Sequence, residues 1–246
     1  MKLTSSSLYK TLISKTISSS QVFLYKLNHR IYSLVHGQPQ QYLTDIKGVI
    51  HVGASSGQER ELYSSHQLNV LWIEASFDSF QTLLSNIREY PRQKALNYLV
   101  DQDNCDSVKF NIANNNAESS SLLELAEHKY MYPDVSTTES VYLQSRTLNW
   151  IVNNELLDLS LYDAMVLDVQ GAEIRVMKGA SSILHRMRYV EVEVADFYSY
   201  QSSPLLSDMN LFMKENGFVL DYLQRASFVP RVGTYYNATY RNTTKI

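Results

Sequence analysis

Val49-Ile50-His51-Val52-Gly53-Ala54-Ser55-Ser56-Gly57 runs from an apolar strand into a polar turn with glycines four apart. Gln58-Glu59-Arg60-Glu61-Leu62-Tyr63 then has the make-up of a helix start. Strand, tight turn and helix N-terminus follow within about a dozen residues. Glycine takes left-handed backbone angles and lets a ligand approach the bare main chain, and the free N–H groups of the helix start face the same point. The stretch predicts a site for a nucleotide-like ligand.

Working outward, Asn69-Val70-Leu71-Trp72-Ile73 is a nearly all-apolar run, the pattern of a strand covered on both faces, and it ends in Glu74. The spacing of Phe77, Phe80, Leu83, Leu84 and Ile87 predicts a helix stopped by Pro91. Ala95 to Val100 reads as a third strand closed by Asp101-Gln102-Asp103-Asn104. The order β-α-β-α-β predicts a parallel sheet with helices on both faces, because such crossovers are right-handed. Regularity then lapses. Val108 to Ile112 and Ser140 to Leu143 alternate like half-exposed strands around hydroxyl-rich and aromatic stretches at Ser119-Ser120-Ser121, Tyr130 and Tyr132. A loop-rich insertion over about 102–147 is expected, serving as a substrate lid or as ornament. Asp163 to Asp168 restores the pattern as a strand ending in a carboxylate, followed by a Val169-Gln170-Gly171 turn and a helix. Tyr189 to Val194, a helix over 207–216, Phe218 to Leu223 and a final antiparallel strand within 231–240 complete it.

Length and composition suit one large α/β domain, expected over 45–246, behind an N-terminal extension over 1–44. The extension carries five basic residues and no acid, which leaves 17 basic and 25 acidic residues for the domain, a net −8 within the chain's −3. An acidic domain is a poor match for a phosphate backbone, so no nucleic-acid partner is expected. The first 20 residues hold seven serines and three threonines without a continuous apolar run, so no signal peptide or membrane span is expected there. A helix is predicted from Val22, with Leu24, Leu27, Ile31 and Leu34 on one face. The lone Cys105 fits a reducing compartment, and a cytoplasmic location is expected. The six scattered histidines form no metal-binding spacing, and no metal is expected. A divalent cation shared by Asp168 and Glu193 is the lesser alternative.

Open parallel sheets bind ligands at the carboxyl ends of their strands. The His51–Gly57 turn, Glu74, Asp101 and Asp168 all fall there, with Glu193 near a fifth strand end. Glu74 lies 17 residues beyond Gly57, where a carboxylate can accept both hydroxyls of a ribose. Dinucleotide enzymes use Gly-x-Gly-x-x-Gly to cradle a pyrophosphate, whereas only Gly53 and Gly57 are present here. S-adenosyl-L-methionine, which has no phosphates, fits better than NAD.

Leu167-Asp168-Val169-Gln170-Gly171-Ala172-Glu173, followed by Val176-Met177-Lys178-Gly179-Ala180, resembles the signature of FkbM-family methyltransferases. There an acid-x-acid-Gly-x-Glu turn precedes a helix ending in Lys-Gly-Ala. Ile50-His51-Val52-Gly53-Ala54 is similar to the family's first motif, and Trp72-Ile73-Glu74 to its ribose-binding strand end. The resemblance covers roughly 46–222. It implies a Rossmann-like class I methyltransferase fold with a mostly parallel seven-stranded sheet, and S-adenosyl-L-methionine as cofactor. It also implies O-methyl transfer to a hydroxyl of a sugar, glycan or small natural product. Cofactor contacts are expected from His51, Gly53, Ala54, Ser55, Gly57, Glu74, Ala75 and Asp101, and the catalytic acids are expected among Asp168, Glu193 and Glu173. A homodimer stays open. His51 stands where the family has Asp and Gln170 where it has Glu, so the second reading is an inactive Rossmann-like binding or scaffold module.

Overall fold

The computed structural model describes residues 40–245, so the expected basic leader and the helix from Val22 lie outside the described residues. The chain enters through a 3₁₀ turn, Gln41–Asp45, whose Tyr42 and Leu43 are buried. Strands β1 (Gly48–Val52) and β2 (Asn69–Glu74) flank helix α1 (Arg60–Ser65), and α2 (Phe77–Ile87) leads to β3 (Gln93–Asn97). β4 (Leu99–Val100) and β5 (Cys105–Ala113) precede the short α3 (His128–Met131), β6 (Thr137–Arg146) and α4 (Leu148–Asn154). β7 (Ala164–Leu167), α5 (Glu173–Gly179), α6 (Ser181–Leu184), β8 (Tyr189–Ala195), α7 (Leu206–Glu215), β9 (Phe218–Val229) and β10 (Gly233–Asn242) follow.

Seven strands form one sheet in the order β3-β2-β1-β7-β8-β10-β9. Neighbours from β3 through β8 pair in parallel, and β10 runs antiparallel between β8 and β9. This is the Rossmann-like class I methyltransferase architecture. The chain steps outward from β1 to β3, then returns to β7 on the other side of β1, so the strand order switches between β1 and β7. A crevice opens at such a switch, beyond the strands' carboxyl ends.

Period-two alternation divides the central strands between two cores. Ile50, Val52, Leu71, Ile73, Met165 and Leu167 face one layer, closed by residues of α4, α5, α6 and α7. Val49, Val70, Trp72 and Val166 face the other, closed by Tyr42, Leu43, Tyr63 of α1, and Leu83 and Ile87 of α2. Burial on both faces is why these strands read as continuous apolar runs. Each such side chain fully withdrawn from water contributes roughly 1.5–3 kcal/mol.

The expected third strand over 95–100 divides in two. Its first part joins the main sheet, and Leu99–Val100 pairs with β6 in a second sheet ordered β4-β6-β5. The segment expected to be loop-rich contains an antiparallel pair, Val108–Ala113 against Thr137–Leu143, with turns, loop and one short helix between the two strands. Its outer faces are exposed, which is why alternation was the only signal it gave. The helix after Gly171 likewise breaks at Ala180 into α5 and α6. Thr147 caps α4 by accepting the Trp150 N–H at 3.1 Å, a helix that periodicity did not announce.

Candidate active site

The turns after β1 and β7 are pressed together. The Gly53 and Ala54 amides both donate to the Ile73 carbonyl, at 2.9 and 3.2 Å, and the Asp168 amide donates to the Val52 carbonyl at 3.0 Å. Gly53 has φ +83°, and a methyl group on its α-carbon would overlap the Asp168 carbonyl. Its bareness thus serves the contact between two turns, and the residue also lines the cleft. Gly57 is similarly packed: a methyl group there would press on Leu83, but the residue lies outside the cleft lining.

A cleft of about 380 Å³ opens over these turns. On the β2 side, Glu74 is buried, and its two carboxylate oxygens accept the Ser55 amide at 2.7 Å and the Ser76 amide at 2.8 Å. Each oxygen keeps a second acceptor site. Burial pushes this carboxyl up to about 7, against the pull of the amides. Ala75, Leu99 and Val100 line the cleft beside it.

On the β8 side, the amide of Gln170 bridges two acids. Its Nε2 donates to Asp168 Oδ1 at 2.6 Å and to Glu193 Oε2 at 3.4 Å. Its Oε1 accepts the Tyr200 hydroxyl at 2.7 Å, and its backbone carbonyl accepts the Ser121 hydroxyl at 2.8 Å. The residue holds φ +56°, a left-handed conformation kept by these four contacts. Asp168 lines the cleft with an exposed side chain, and Glu193 beside it is half-buried. Desolvation raises the Asp168 carboxyl and, more strongly, that of Glu193, which is also repelled by Asp168 and Glu173. Gln170 stabilises ionised Asp168 more than ionised Glu193, since its bond to Asp168 is the shorter. Glu193 is therefore the more reluctant of the two to ionise.

The remaining expected residues divide. His51, Gly53, Ala54 and Ser55 line the cleft with Glu74, Ala75, Asp168 and Glu193, and Glu59, which the sequence did not single out, joins them. The His51 ring is buried, with Nδ1 3.1 Å from the Tyr63 hydroxyl and its face against Trp72, and burial lowers its basicity. Glu173 sits behind the cleft, 1% exposed, accepting the Gly171 amide at 3.0 Å, and burial pushes it up to about 7. Asp101 is outside the lining, because Arg175 of α5 takes both its oxygens at 2.6 and 2.7 Å. Gly179 packs against the same segment, where a methyl group would overlap the Asp101 carbonyl. Sequence reasoning passed over His128, Tyr132 and Tyr235, which also line the cleft. The aromatic content near Tyr130 and Tyr132 was the available signal. Among the described residues, no three His, Cys, Asp or Glu side chains are placed to hold a metal ion.

The domain model described as "Methyltransferase FkbM domain" matches residues 51–220, more than half of the chain. The chain belongs to the FkbM methyltransferase family. No curated protein matches it. Among solved structures, it is similar to the Synechocystis magnesium protoporphyrin IX methyltransferase with bound S-adenosylhomocysteine, at 10% identity over 93% of this chain and 89% of that one, TM-score 0.46. It is similar also to Aeropyrum pernix fibrillarin in complex with S-adenosylmethionine, at 12% identity over 85% and 74%, TM-score 0.42. A TehB-like SAM-dependent methyltransferase from Corynebacterium glutamicum matches at 10% identity over 92% and 100%, TM-score 0.41. As an FkbM methyltransferase the protein uses S-adenosyl-L-methionine. The donor set of the cleft fits that cofactor: a buried carboxylate with spare acceptor sites, apolar residues beside it and, among the described residues, no lysine or arginine in the lining to hold a diphosphate. Among the described residues, no helix is long and apolar enough to cross a membrane.

Proposed function

We propose that this protein transfers a methyl group to a hydroxyl of a sugar or similar small molecule, with Asp168 as the base that takes the hydroxyl proton. The Asp168–Gln170–Glu193 bridge carries this reading. Asp168 Oδ1 is held by Gln170, while Oδ2 has no hydrogen-bond partner among the described residues and faces a cleft. A carboxyl raised by partial desolvation is a stronger proton acceptor than an ordinary carboxylate. S-adenosylmethionine, when bound, supplies a methyl group on a sulfonium that departs with the bonding electron pair. The protein's part is to align the acceptor oxygen and remove its proton. Alignment alone can contribute several kcal/mol. Glu74 is the group we assign to the ribose hydroxyls, and the turn over 53–55 to the amino-acid end.

Calorimetric titration with S-adenosylhomocysteine tests the cofactor site: no detectable binding by well-folded protein rejects the reading. Methyl transfer to glycosides then separates the roles. Asp168→Asn is expected to lower kcat by roughly 10² to 10⁴ with S-adenosylhomocysteine affinity retained. An equal kcat in the variant removes Asp168 as the base.

A further inference from the structure

The same cleft continues on the β8 and β10 side of Asp168, where the cofactor residues of β1 and β2 do not reach. Its wall there is aromatic. The His128 ring stands 5.0 Å from Tyr132 and 5.4 Å from Tyr200, and Tyr132 lies 6.5 Å from Tyr235 (centroid distances). His128 is fastened at both nitrogens, with Nδ1 2.8 Å from the Tyr235 hydroxyl and Nε2 3.3 Å from the Ser119 hydroxyl. One nitrogen donates and the other accepts, the pattern of a neutral imidazole. Burial holds it uncharged, lowering it to about 4. Tyr132 is different, being 43% exposed, so one ring of this wall is free to cover a ligand.

The charge of the whole lining is one-sided. Glu59, Glu74, Glu118, Asp168 and Glu193 contribute carboxyl groups, and among the described residues no lysine or arginine lines the cleft. A phosphoryl or carboxylate group entering here meets ionised Asp168, and no lysine or arginine of the described lining answers it.

From these observations we infer that the aromatic wall of His128, Tyr132 and Tyr235 is the acceptor subsite, and that it takes a hydroxyl-bearing ring without an anionic substituent. Acceptors with a phosphate or carboxylate on the ring that enters are excluded. This rests on the methyltransferase reading of the cleft. The apolar C–H faces of a sugar ring lie against the aromatic faces, and its hydroxyls meet Ser119, Asn115 and Asp168 at the edges.

Saturation-transfer NMR on the full chain loaded with S-adenosylhomocysteine tests it, with methyl glucoside, methyl glucuronide and glucose phosphate as probes. Saturation is expected to reach the neutral glucoside alone. Replacing Tyr132 by alanine should abolish that transfer while S-adenosylhomocysteine affinity stays within about twofold, since the ring makes no contact with the cofactor side. Glu118→Lys, on an exposed side chain, should admit glucose phosphate. Equal or stronger transfer to the anionic probes overturns the inference, as does absence of transfer to the glucoside or its survival in Tyr132→Ala. Failure to bind S-adenosylhomocysteine at all is a separate result, and it rejects the methyltransferase reading itself.

Discussion

Gln170 places a neutral amide where the family's turn carries an acid, and its two N–H groups hold together two carboxyls that would otherwise repel. Gln170→Glu removes both donors and adds a third negative charge within 3.4 Å of Glu193. The pH–kcat profile should record it: the acidic limb is expected to move up by about one unit or more, because Asp168 must lose its proton against a new charge. An unmoved limb excludes Asp168 from that limb. Glu74 gives a second residue-scale expectation. Bonds from a ribose to an ionised carboxylate are worth roughly 1.5–3 kcal/mol each, so Glu74→Ala should weaken S-adenosylhomocysteine roughly 10- to 100-fold. Glu74 titrates near about 7, so the ligand, which favours the ionised form, must displace a proton below that pH. Wild-type affinity should then fall by up to about tenfold per pH unit below 7, a dependence absent from Glu74→Ala. Isothermal titration across pH 5.5 to 8 reads both at once. Roles of this kind were partly legible. Glu74 and Asp168 stood out because a carboxylate ending an apolar run is conspicuous, and His51 did not reveal that its ring turns into the Tyr63–Trp72 core.

At the scale of elements, the close approach of two turns sets the architecture of the cleft. Gly53→Ala must both hold φ +83° and push the Asp168 carbonyl away. Strain and overpacking together should cost roughly 2–4 kcal/mol in chemical denaturation, with the base displaced as well. A loss below about 0.5 kcal/mol shows that the turns separate freely. The sequence marked this turn as important while hiding the reason, since a glycine needed for packing and one needed for a ligand are written alike. Asp101 shows the same limit. A carboxylate after an expected strand looks like a ligand, and only the fold brings Arg175, 74 residues on, against it. Alternation told of β5 and β6 but not of their pairing, because register between remote strands is a long-range property.

For the molecule as a whole, several buried carboxyls carry protons that the unfolded chain gives up. Glu74 and Glu173 both rise from 4.5 to about 7. A raised folded value means stability fully present below pH 4.5 and lost as pH climbs through 7. His51 and His128, lowered by burial, act in the opposite sense, adding stability above pH 6.5 that is lost on acidification. Raised carboxyls outnumber the two imidazoles, since Asp168, Glu191 and Glu193 rise as well. The ligand-free protein should therefore be less stable at pH 8 than at pH 5.5. Glu173→Gln keeps the contact to the Gly171 amide without the proton, and should remove about 2 kcal/mol of that decline. Identical urea midpoints against pH for the two proteins contradict it.

The small second sheet returns almost to its starting point. Ser145 donates to the Asp103 carbonyl at 2.9 Å, and Asn104 accepts the Thr147 amide at 2.9 Å, so the strands that leave the main domain after β4 are stitched shut at their own base. An excursion closed in this way can lengthen, shorten or be exchanged without disturbing the strands beneath it. The seven-stranded sheet carries His51, Glu74 and Asp168 to one part of the cleft, and the excursion brings His128 and Tyr132 to another. On the reading proposed above, the acceptor side of the cleft can then be remodelled while the cofactor side stays where it is.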